Sequence, residues 1–313
     1  MRFMRLPLYV GFGITLAAAV ANAETSAAPS QSDHHFLLEF QETEIEEVGP
    51  IRDKLISDGV IAGLLADIEN DIALPMDIPV TFRDCGMENA YWNPEEKSIT
   101  YCYEIFKTYN TGYDDVAGEE STFLEGVDRD RVLTATTLFL LMHELGHGAI
   151  DIFSLPATGR EEDAADQLAT LLMIRADEKG EPALERPSRM ALIAAYWFKQ
   201  IAVDPANLHR DVFADEHALG QQRYYDIMCL VFGSDVDAYE AILMPGAKMV
   251  SDFKGTKPEE MDSDTLIKAL ALIQAVDSRN ILPFARAMRC EQEYQRYSAA
   301  WDYMIKTFML KHE

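Results

Sequence analysis

Basic side chains are scarce in this chain of 313 residues: Lys and Arg number 27 against 53 Asp and Glu, for a formal charge of −26. A surface of that sign repels phosphate backbones, so nucleic acid is excluded as the expected partner. Cysteine is sparse as well, with four residues in all and no C-x-x-C pair. Without that pair, thioredoxin-like redox chemistry and zinc-ribbon folds have no support. Beyond the first two dozen residues no segment is long and apolar enough for a membrane span, and no internal repeat is visible.

The N-terminus has its own pattern. Arg2 and Arg5 precede an apolar run from Leu6 to Val20, and Ala21-Asn22-Ala23 follows with small residues where a signal peptidase reads. The run is short for a bilayer span, so residues 1–23 read as a secretory signal peptide and the mature chain begins at Glu24. Loss of Arg2 and Arg5 takes the formal charge to −28, and no stable membrane insertion is expected after cleavage. An exported chain with an even number of cysteines is expected to form disulfides, and the expected location is periplasmic or secreted. Spacing favours Cys85–Cys102 and Cys229–Cys290, one pair in each half. The shorter loop would stabilise by on the order of 3 kcal/mol through chain entropy.

With 48% hydrophobic residues the chain can build a sizeable core. Residues 24–35 are small and polar, a flexible leader. Phe36 to Phe40 and Ile78 to Phe82 read as strands, and Ile45 to Ile68 as one long amphipathic helix. Asn93-Pro94 marks a turn inside a hairpin-like unit from Cys85 to Glu104. Tyr113 to Asp130 reads mostly as loop. Arg131 to Ile152 is apolar nearly all round and predicts a buried helix. A second helix is expected over Gly159 to Glu178, then helices near Ser188–Val203, Gly220–Phe232, Asp264–Val276 and Arg286–Leu310. The fold class is therefore α+β: a small N-terminal sheet with active-site helices, then a mainly helical C-terminal half. One domain over residues 36–313 is expected, with an α+β lobe to about 180 and a helical lobe beyond.

The chemistry concentrates in "HELGHGAIDIFSLPATGREEDAAD", His143 to Asp166. On a helix His143 and His147 share one face and can present two imidazole nitrogens to one metal ion. Zn2+ suits such a set when a carboxylate completes it and one position stays open. Glu144 stands beside the first histidine, where it can take a proton from a water activated by the ion. Among the acids that follow, Glu162 and Asp166 lie four apart on a common face. Glu162 is the expected third ligand, with Glu161 left open because helix phase drifts at element ends, and Asp166 is the expected partner of the outer N–H of His143. Gly146 and Gly148 lower helix propensity within the same turn, which signals close approach by another part of the chain.

With those residues assigned, the chain resembles zincin metallopeptidases of the glutamate-ligand type, in which H-E-x-x-H is followed by E-x-x-x-D on the next helix. His143, Glu144, His147, Glu162 and Asp166 match position by position. "NAYWN", from Asn89, resembles the N-A-F-W edge strand of thermolysin-like enzymes, which implies that Asn89, Ala90, Tyr91 and Trp92 line a substrate groove by strand addition. Across most of the mature chain the resemblance is to DUF4344, a bacterial family of exported metallopeptidase-like proteins. It covers the Cys85–Glu104 block, "HELGH", "GREEDAADQLAT", "ADEHALGQQRYYDIMC" and the stretch from Cys290 to Tyr294.

Two departures from thermolysin stand out. Only fourteen residues separate His147 from Glu162, and none of them is the tyrosine that would serve as a transition-state donor there. His217, oriented by Asp215, is the replacement candidate, with Arg223 or Tyr224 assisting. The functional expectation is a zinc-dependent hydrolase of peptide bonds acting on peptide or protein substrates. The competing expectation is a metal-stabilised, non-catalytic peptide- or protein-binding protein of the cell envelope.

Overall fold

The structure is a computed structural model that describes residues 34–116, 122–178, 180–200, 209–246, 262–278 and 280–310. Residues 1–23, read from the sequence as a signal peptide, and residues 24–33 of the expected leader lie outside the described residues.

A four-stranded sheet opens the chain. Strands β1 (Phe36–Phe40), β2 (Ile78–Arg83) and β4 (Ser98–Cys102) run parallel, and β3 (Ala90–Asn93) pairs antiparallel with β4, in the order β1-β2-β4-β3. β4 has neighbours on both sides, and every one of its residues is buried. β3 is left at the edge. Its carbonyl at Asn89 accepts from Cys102 N at 2.9 Å. In an antiparallel ladder hydrogen-bonded pairs alternate, so the backbone groups of Ala90 and Trp92 point away from β4 to the open side.

β1 is joined to β2 by two helices, α1 (Gly49–Asp58) and α2 (Val60–Asp71). The single helix expected over Ile45 to Ile68 is thus interrupted, and Gly59 is the reason. It takes φ of 66°, the left-handed conformation that closes one helix and admits a new direction for the next. The expected loop from Tyr113 to Asp130 is also corrected: α3 (Ile105–Val116) runs into it, and a short 3-10 turn forms at Thr122–Leu124.

The long helix α4 (Arg129–Ile152) crosses the middle of the molecule, its start capped by the Asp128 side chain accepting from Arg131 N at 2.8 Å. It packs on β3, β4, α3, α5 (Glu161–Arg175) and α6 (Ser188–Gln200). A ladder of rings links sheet to helices: Phe40, Phe82, Tyr101, Phe106, Tyr109 and Trp197 follow one another at centroid separations from 4.7 to 5.8 Å.

The remaining described helices are α7 (Arg210–Phe213), α8 (Gly220–Ser234), α9 (Val236–Leu243), α10 (Ser263–Asp277) and α11 (Phe284–Met304). A π-type turn over Ile305–Met309 then returns the chain to the end of α2, where Leu310 pairs with Ile72. Among the described residues no helix is long and apolar enough to cross a membrane. The architecture is α+β with a small N-terminal sheet and a helical C-terminal half, as the sequence implied.

Both cysteine pairs are joined, Cys85 to Cys102 and Cys229 to Cys290. The second ties α8 to α11, and the two helices touch at Gly233, where an added Cβ would lie 2.2 Å from the Cys290 carbonyl oxygen. Gly63 in α2 has nothing within 4 Å of that position. Gly233→Ala should therefore destabilise by about 3 kcal/mol through overpacking against backbone, whereas Gly63→Ala should stabilise by roughly 0.5–1 kcal/mol. Urea unfolding of the oxidised proteins reads both. Equal midpoints for the two variants would contradict the close approach.

Candidate metal centre

The face of α4 that carries His143 and His147 is turned toward the start of α5. The approach is close because Gly146 has no side chain: a Cβ there would lie 2.9 Å from the Ala165 Cα. The contact lets the first turns of α5 reach α4. The N-terminal end of a helix also favours the negative charge of Glu161, Glu162 and Asp163.

Three donor atoms meet between the helices. His143 Nε2 is 3.1 Å from Glu162 Oε2, His147 Nε2 is 3.3 Å from that oxygen, and the two Nε2 atoms are 3.2 Å apart. Around a tetrahedral ion with bonds of roughly 2.0–2.1 Å, neighbouring ligand atoms lie about 3.3 Å apart, so this triangle has the size of one face of such a site. His217, from the segment before α8, brings Nε2 to 3.0 Å from the same Glu162 oxygen. Glu162 Oε2 thus has the Nε2 atoms of His143, His147 and His217 around it, and one carboxylate with imidazoles at this spacing, His143, Glu162 and His217 among them, fits a divalent ion.

Each histidine is oriented from behind. His143 Nδ1–H donates to Asp166 Oδ1 at 2.8 Å, His147 Nδ1–H to Glu161 Oε1 at 2.7 Å, and His217 Nδ1–H to Asp215 Oδ1 at 3.2 Å. In that tautomer the Nε2 atoms of His143 and His147 keep their lone pairs for the centre. Glu161, left open as a ligand by the sequence, therefore serves as the outer partner of His147, while Glu162 faces inward. Asp166 in turn accepts from Arg223, Nε to Oδ2 and Nη2 to Oδ1, both at 2.7 Å.

That contact differs from the expectation for Arg223. Its fork is committed to Asp166, and its guanidinium lies over the Phe198 ring at 3.8 Å, so these donors do not face a substrate. Tyr224 differs too: it is 4% exposed and packs edge-on to Tyr225 inside the core. Nothing in the spacing of Asp166 and Arg223, 57 residues apart, announced their pairing.

Glu144 sits on the same helix, 6% exposed, and its Oε2 accepts the Trp92 backbone N–H at 2.8 Å. This is one of the outward-pointing groups of β3. The Trp92 indole N–H donates to Asp151 Oδ2 at 2.8 Å, and Lys97 Nζ contacts both Asp151 oxygens at 2.8 Å. Gly148 admits the ring, since a Cβ there would come within 3.1 Å of it. The two glycines thus have different partners, α5 for one and Trp92 for the other. Sequence reasoning missed Asp151, although its place seven residues after Glu144 puts it on the same side of α4. Along the edge strand Asn89 is exposed, Ala90 half-buried, and Tyr91 accepts from Arg83 Nη2 at 3.3 Å.

Electrostatics follow from burial and pairing. Burial alone would lower His143, but hydrogen bonds to Asp166 and Glu162 outweigh it and hold the imidazole at about 9. Burial would raise Asp166, yet the Arg223 charge and the His143 bond keep its carboxyl well below the usual range. Burial likewise works against Glu162, which His143, His147 and His217 hold far down. Glu144 moves the other way: burial raises it. A carboxylate whose proton affinity is raised is better matched to taking a proton near neutrality.

The comparisons with known proteins give one match. The DUF4344 family model, described as "Putative metallopeptidase", matches residues 40–262. No curated protein and no solved structure matched.

With protons rather than a metal at the centre, folding favours the charged form of His143. That contribution is complete below pH ~6.5, the unfolded value, and is lost as pH rises through about 9. In chelator-treated protein the urea midpoint should fall between those limits, and His143→Gln should flatten the slope. An unchanged slope in the variant would remove His143 as its source.

Proposed function

Since the chain belongs to the DUF4344 metallopeptidase family, we propose that it is an exported, zinc-dependent peptidase that hydrolyses peptide bonds at the centre between α4 and α5. The observation that carries this reading is the single position at which His143 Nε2, His147 Nε2 and Glu162 Oε2 converge, with Glu144 alongside on the same helix. Export rests on the signal-like residues 1–23 and on the two disulfides, which suit an oxidising compartment. The expected ligands are His143, His147 and Glu162. Bound there, zinc would supply a Lewis acid that polarises the scissile carbonyl and acidifies water.

The protein's own groups supply the rest. Glu144 takes the proton from the attacking water and returns it to the leaving amine, with its orientation held by the Trp92 N–H. The edge of β3 offers Ala90 and the Trp92 carbonyl to an extended substrate, which would add as a strand. His217, as an imidazolium with Nδ1–H held by Asp215, donates Nε2–H to the carbonyl oxygen as negative charge develops there. Asp166 and Arg223 form a rigid backing that holds the His143 ring in place.

A second reading draws on one contact. His217 Nε2 lies 3.0 Å from Glu162 Oε2, close enough for a fourth protein ligand to close the site. Closed four-ligand sites are structural, which fits a metal-stabilised peptide-binding protein.

Digestion of a diverse peptide mixture by the mature, zinc-loaded protein, read by mass spectrometry, tests the first reading. Glu144→Gln should lower turnover by roughly 10²–10⁴-fold with zinc content unchanged. His217→Ala should cost roughly 10²–10³-fold in kcat and retain zinc, whereas in the closed-site reading it releases zinc instead. Asp166→Asn should weaken zinc binding by roughly 10–100-fold. Full turnover by the Glu144→Gln protein would rule out the proposed base.

A further inference from the structure

Behind the candidate centre lies a cavity of about 490 Å³, within the size range of small-ligand sites. It sits on the opposite side of α4: Leu138, Leu145 and Ile152 line it, seven apart, on the face turned from His143 and His147. α2 closes one flank, α5 another, and the returning C-terminal turn a third. The wall shared with the candidate centre is Trp92, whose indole lines the cavity while its backbone holds Glu144.

The lining is aliphatic and aromatic almost throughout. Of the described residues around it, only Asp67, Asp71 and Arg175 carry charge. The indole N–H of Trp92 is already spent on Asp151. No polar group inside is therefore arranged to orient a polar ligand, and an apolar chain is what the interior can hold. The rim differs. Arg175 is ion-paired with Asp302. Asp67 and Asp71 stand four apart on one face of α2, both exposed, with no ion pair among the described residues. Two uncompensated carboxylates at the mouth of an apolar cavity attract a positive charge and repel a negative one.

We propose that this cavity binds a single-chain amphiphile with a cationic head group, the tail against α4 and α5 and the head between Asp67 and Asp71. The interior selects the tail by apolar area, and the rim selects the head by charge. This site is separate from the peptidase reading and stands whether or not peptides are cleaved.

Titration calorimetry on the mature chain tests it, with dodecyltrimethylammonium and dodecanoate as probes below their micelle concentrations. One equivalent of the ammonium probe should bind at least roughly tenfold tighter than the carboxylate and shift the emission of Trp92. Asp67→Asn with Asp71→Asn should shrink that preference to about threefold or less while tail binding persists. Leu172→Trp, which fills the cavity without altering charge, should abolish the single-equivalent event for both probes. Leu64→Trp serves the same purpose from the other wall if circular dichroism shows the first variant misfolded. Several weak equivalents that survive the filling variants would mean adsorption to an acidic surface and would overturn the proposal. So would a head-group preference indifferent to the Asp pair. Binding seen only after removal of residues 24–33 would make the chain's own leader the occupant, and the proposal would fail.

Discussion

One carboxylate governs the geometry of the centre. Asp166 receives the Nδ1–H of His143 on one side and the fork of Arg223 on the other, all within 2.8 Å. A buried carboxylate pays a large desolvation cost unless it is paired and hydrogen-bonded, and here both conditions are met. The consequence is positional. Asp166 cannot turn without breaking a charge-assisted pair, so the His143 ring is held with Nε2 toward Glu162. The same pair joins α5 to α8, which connects the motif helices to the C-terminal half. Arg223 therefore contributes through the histidine it never touches.

A comparable anchor operates across the other side of α4. Trp92 is fixed by its backbone to Glu144, by its indole to Asp151, and by its ring to the surface of Gly148. Edge strand and helix are thereby registered to each other at the residue proposed to move protons. Both anchors depend on a glycine in α4 that trades helix propensity for closeness of approach. Gly146 and Gly148 are two residues apart and so open onto different neighbours, which explains why both occur in one turn.

Legibility from the sequence follows the range of the interaction. His143, Glu144 and His147 share one helical stretch, and Glu162 with Asp166 another, so a periodicity of 3.6 was enough to sort them by face. The α+β class followed from the same local patterns, and the spacing of the cysteines matched the pairs that form. Positions fixed by distant chain were misread. Arg223 looked like a cleft residue because its partner is 57 residues away. Tyr224, named as an assisting residue, is buried because α8 is covered by α11 as well as by α6. The break at Gly59 had a visible signal, yet the apolar recurrence on either side of it masked the left-handed turn. Asp151 was legible in phase but carried no motif to draw attention to it.

The disulfide between Cys229 and Cys290 closes a span of 61 residues and fastens α8 to α11. Synthesis runs from the N-terminus, so both imidazoles of α4 exist long before the residues that hold them. Asp166 follows about twenty positions later, Arg223 later still, and Cys290, which clamps α8, after a further 61 residues beyond Cys229. The backing of the centre is therefore secured only after the helix it serves has long been made. The order of emergence sets an order of assembly, in which the histidine-bearing helix waits for partners made well after it.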